Sequence, residues 1–61
     1  MARDPAALRA RAAQFRDKAA ELHRTARALG DRTMLDAYTA LIAEYDALAL
    51  ELERVVAEIE A

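Results

Sequence analysis

Between residue 6 and residue 61 the chain has one residue that breaks a helix, Gly30, and it stands almost at the midpoint. The only proline, Pro5, lies at the start of the first run, where Asp4 can cap free backbone N–H groups and the missing proline N–H costs nothing. Each run is long enough for a helix of several turns, and neither is interrupted. Gly30 suits the left-handed residue that follows a helix C-terminus, and Asp31 or Thr33 can cap what comes next, Thr33 and Asp36 having the spacing of a capping box. A break of two or three residues leaves the two helices no option but to lie side by side and antiparallel. The expectation is an all-α chain, a two-helix antiparallel hairpin like a coiled coil, in one domain over residues 1–61. Its first helix runs over about 5–29, the turn over 30–31 and the second helix over about 32–60.

Heptads mark the faces. In the first run Leu8, Phe15, Leu22 and Leu29 recur every seven residues, with Ala12, Ala19 and Ala26 between them at alternating spacings of four and three. The second run carries three apolar columns: Met34, Leu41, Leu48 and Val55; Tyr38, Tyr45, Leu52 and Ile59; and Leu35, Ile42, Ala49 and Val56. Three columns exceed what one thin helix can cover.

Folding at Gly30 in the register that pairs Leu22 with Leu41, Phe15 with Leu48 and Leu8 with Val55 places Ala26, Ala19 and Ala12 beside Tyr38, Tyr45 and Leu52, small against large. The same register sets Lys18 against Glu44 and Arg11 against Glu51, both opposite in sign. Leu8, Phe15, Leu22, Leu29, Leu41, Leu48, Val55, Arg11, Lys18, Glu44 and Glu51 are therefore expected to pair the helices within the chain. The other flank would bring Arg9, Arg16 and His23 against Val56, Ala49 and Ile42, whose apolar surface long Arg stems only partly cover. Leu35, Ile42, Ala49 and Val56, with Tyr38 and Tyr45, are expected to form an oligomer or partner interface.

Chain size points the same way. Of the 34 hydrophobic residues 17 are Ala, and a chain of this size buries only about 60% of the surface it exposes when unfolded, so a second chain is expected to complete the core. A homodimer closing a four-helix bundle is the favoured assembly, and a helix of another protein is the alternative occupant. Charge is divided between the halves: residues 1–30 carry 7 basic and 3 acidic side chains, residues 31–61 carry 2 and 8, for a net charge of -2.

Chemistry-bearing groups are sparse. The chain has no Cys and no Ser, so the usual activated nucleophiles and any disulfide or thiolate metal site are ruled out. His23 has Ala19, Ala20, Ala26 and Arg27 as its helical neighbours, none of them able to share a metal with it, and it reads as a surface residue or, in a dimer, one of a pH-sensitive pair. Glu44, Glu51 and Glu58 stand seven apart, about 10 Å along the axis, too far to share one ion. Tyr38 and Tyr45 read as core aromatics opposite Ala in preference to a stacking platform for bases.

Arg3, Arg9, Arg11, Arg16 and Lys18 could contact phosphate, which leaves a small nucleic-acid-associated regulator as the second functional reading, disfavoured by the acidic second half. No run approaches the ~20 apolar residues of a membrane span, and "MARDPAALRARAA" lacks the apolar stretch of a signal peptide, so a cytoplasmic protein without membrane contact is expected. No catalytic, metal or cofactor-binding residue is assigned, and no enzyme activity is expected.

"RARAAQFRDKAAEL", the Gly-Asp turn and "AEYDALALELE" together resemble a group of short bacterial helical-hairpin proteins with A-x-Y-x-x-L-A in the second helix, here Ala43, Tyr45, Leu48 and Ala49. The resemblance implies a small stand-alone interaction protein and assigns no functional residue. The leading reading is a non-enzymatic, homo-oligomerising adaptor or regulator.

Overall fold

A computed structural model describes residues 4–61, and two helices account for nearly all of them: α1, Pro5–Leu29, and α2, Arg32–Glu60. Each limit has a local cause. The Asp4 carboxylate accepts from the Ala6 amide at 3.0 Å with Pro5 opening the first turn, and Asp31 accepts from the amides of Thr33 and Met34 at 2.9 and 3.2 Å. Asp31 is therefore the cap of α2, and Thr33 sits inside the helix. Gly30 ends α1 in the left-handed conformation, φ 71° and ψ 3°, where an L side chain is penalised.

The hairpin measures 44 × 18 × 14 Å, two helices wide and one thick. A layer so thin has little interior. Its buried residues are Ala12, Ala19 and Ala26 of α1 and Ala49 and Val56 of α2. Small side chains at the seam let the two backbones approach closely, while Leu8, Phe15, Leu22, Tyr38, Ile42, Tyr45, Leu52 and Val55 are half-buried along its margins. Phe15 meets Tyr45 with ring centroids 6.0 Å apart and planes tilted by 34°, within the favourable range for aromatic pairs.

This seam differs from the one the register argument expected. Leu41 and Leu48, expected against α1, are 42% and 47% exposed, and Ala49 and Val56, expected on the outer interface, are 0% and 5% exposed. Helix α2 is thus turned by about half the angle between successive residues, about 50°. The Ile42, Ala49 and Val56 column enters the hairpin, and the Met34, Leu41 and Leu48 column leaves it. The physical reason lies in the charged flanks: this rotation brings Asp46, Glu53 and Glu60 beside Arg9 and Arg16, with which they make ion pairs between the helices.

Candidate interaction surface

The seam divides the hairpin into two unlike faces. On one, each charged residue follows a seam residue by one position: Arg9 after Leu8, Arg16 after Phe15, Asp46 after Tyr45, Glu53 after Leu52 and Glu60 after Ile59. Arg16 donates to Glu53 from two guanidinium nitrogens, at 2.7 and 3.3 Å, and to Asp46 at 3.4 Å, and Arg9 donates to Glu60. The bidentate hydrogen bond from Arg16, together with its charge, outweighs desolvation and holds the Glu53 carboxyl below the usual glutamate range, while Arg16 holds its own proton more tightly than usual. A shallow groove beside these pairs is floored by Ala12, Ala13, Val56 and Ala57.

On the other face, residues precede the seam by one position: Arg11 and Lys18 before Ala12 and Ala19, and Leu41, Leu48 and Val55 before Ile42, Ala49 and Val56. Here Met34, Leu41, Leu48 and Ile59 are exposed at 42%, 42%, 47% and 39%, and half-buried Phe15, Leu22, Tyr45 and Leu52 widen the strip toward α1. Leu50, at 45%, stands across α2 from Leu48 and belongs to no such strip.

Among the described residues, the charges bordering this face are not paired between helices. The expected contacts of Lys18 with Glu44 and of Arg11 with Glu51 are absent among the described residues. Lys18 instead reaches Glu21 at 3.6 Å and Glu51 reaches Arg54 at 3.4 Å, each along its own helix, and the Arg11 guanidinium lies 5.9 Å from the Phe15 ring centroid.

The remaining candidates are scattered. His23 is exposed beside Arg24, Ile42 and Asp46, and the described residues hold no group of three His, Asp or Glu side chains arranged to share a metal ion. Leu29 and Leu35 are exposed at the turn end, Leu35 lining a shallow depression with Ala26 and Asp31. Of the basic cluster, Arg9 and Arg16 are engaged by acidic partners on the first face, and Arg3 lies outside the described residues. No helix in the described residues is long and apolar enough to cross a membrane.

Sequence reasoning missed that Asp46, Glu53 and Glu60 are the acids that orient α2. The signal was present in their heptad spacing opposite Arg9 and Arg16. Compared with known proteins, the chain matches no family model, no curated protein and no solved structure.

Proposed function

We propose that the protein is a non-enzymatic homo-oligomerising hairpin, whose exposed apolar face packs against a second copy to complete a four-helix bundle, and whose outer charged face is left to act as an adaptor or regulator of another protein. The observation that carries this reading is the continuous strip of Met34, Leu41, Leu48 and Ile59 beside half-buried Phe15, Leu22, Tyr45 and Leu52. Exposed apolar surface gathered on one face marks an association site, whereas isolated residues such as Leu50 are ordinary. A face of 44 by 18 Å offers on the order of 800 Å² per copy, the size of a standard stable interface. The basic cluster favours the nucleic-acid alternative less than the sequence did, because Arg9 and Arg16 are already neutralised in place.

Sedimentation equilibrium on the wild type, on Leu41→Glu/Leu48→Glu and on Leu50→Glu tests the reading. The wild type and Leu50→Glu should have the mass of an oligomer, and the Leu41→Glu/Leu48→Glu chain should run as a monomer. A monomeric wild type, or a Leu41→Glu/Leu48→Glu variant that keeps the oligomer mass, would remove it.

A further inference from the structure

Building on that homodimer, we infer that the two copies are related by a twofold axis parallel to the helices, so that α1 of each copy lies on α2 of the other and Arg11 and Lys18 of one copy pair with the Glu44, Glu51 and Glu58 row of its partner.

The heights of the residues along the hairpin come from the ion pairs. Arg16 bonds both Asp46 and Glu53, which places it at a height between them. In an antiparallel pair each step up α1 is one step down α2, so Lys18 lies at a height between Glu44 and Glu51, and Arg11 between Glu51 and Glu58. A heptad spans about 10 Å along the axis, so the nearer glutamate is within about 5 Å in height, within reach of a Lys or Arg side chain. Inside one hairpin these groups are kept apart by its width. Arg11 and Lys18 edge the apolar face on α1, the glutamates edge it on α2, and the strip of Leu41, Leu48, Tyr45, Leu52, Phe15 and Leu22 lies between.

A twofold axis parallel to the helices exchanges the two edges and keeps every height. It lays the basic edge of each copy over the acidic edge of the other, twice by symmetry, with neighbouring helices antiparallel throughout. The Arg11 and Lys18 stems then cover Leu48 and Val55 while their heads reach the glutamates. An axis across the helices would put α1 on α1, basic edge on basic edge, and the glutamate row on its own copy. Like charges so placed oppose association. The charge asymmetry between the two halves of the chain thereby selects one packing of an apolar face that would otherwise accept both.

The decisive experiment uses two full-length variants, Arg11→Glu/Lys18→Glu and Glu44→Lys/Glu51→Lys/Glu58→Lys, with sedimentation equilibrium on each alone and native mass spectrometry on their mixture. Each variant alone meets only like charges in its homodimer and should self-associate at least about tenfold more weakly than the wild type at low salt. Mixed, they restore every pair and should form a 1:1 heterodimer of wild-type strength, with helicity recovered if dissociation costs it. A dimeric wild type whose two variants remain dimeric alone, or do not pair on mixing, would overturn this packing and leave the homodimer standing. A monomeric wild type would overturn both.

Discussion

Arg16 shows how one side chain can set the rotation of a helix. Its guanidinium reaches two acids a heptad apart, and no other residue of α1 is tied to α2 at two points among the described residues. The pair with Glu53 is exposed, so its worth is modest, but it leaves a signature in pH. The Arg16 hydrogen bond lowers the Glu53 proton affinity below the ordinary 4.5, so the stabilisation is complete above that value and drains away as pH falls through the lowered one. Arg16 stays charged throughout this range and adds no slope there. Glu53→Gln should therefore have a lower urea midpoint than the wild type at neutral pH, and the gap should close between about pH 5 and about pH 3. Midpoints measured for both proteins across that interval check it, and a gap of constant size would show that the pair contributes nothing through its charge.

At the scale of the element, the seam rests on small residues. Ala49 is fully buried beside the Ala12, Ala19 and Ala26 series, and no large side chain is completely buried anywhere in the described hairpin. Ala49→Leu should push the helices apart and cost about 1–3 kcal/mol, whereas Leu50→Ala, on the exposed side of α2, should stay within about 0.5 kcal/mol. Chemical unfolding of the two variants provides the comparison. The helices, their caps and the turn were legible in the sequence because each depends on residues adjacent in the chain: Asp4 with Pro5, Gly30, Asp31. Helix α1 was equally plain, having one seam. Helix α2 was not, because its three neighbouring columns offer two possible apolar seams. The choice between them falls to charges 30 to 51 residues apart in sequence, and both flanks hold opposite pairs. Lys18 with Glu44 and Arg11 with Glu51 made one register plausible, while Arg9 and Arg16 against Asp46, Glu53 and Glu60 secure the other. Small residues on both helices at the realised seam were the further sign, since they permit the closest approach.

For the molecule as a whole, a hairpin with an alanine seam has little core to hold it folded alone, and in the proposed dimer its exposed large side chains are buried against the second copy. Folding and association should then be one event. Raising the protein concentration a hundredfold favours a dimer by about 2.8 kcal/mol, so the thermal midpoint followed by circular dichroism should climb on the order of 10 °C. A midpoint independent of concentration would mean that the hairpin stands by itself.

The confinement of every interhelix ion pair among the described residues to one face bears on how far assembly can go. In the proposed dimer, two copies that join through their apolar faces turn outward the rows of Arg9, Arg16, Asp46, Glu53 and Glu60, which are already matched with one another. Paired charges on the outward face offer no second extended apolar strip for a third copy, so that dimer is expected to close on itself and not to grow into a filament. In that dimer the same salt-bridged rows that rotate α2 into place would also act as the stop signal for polymerisation.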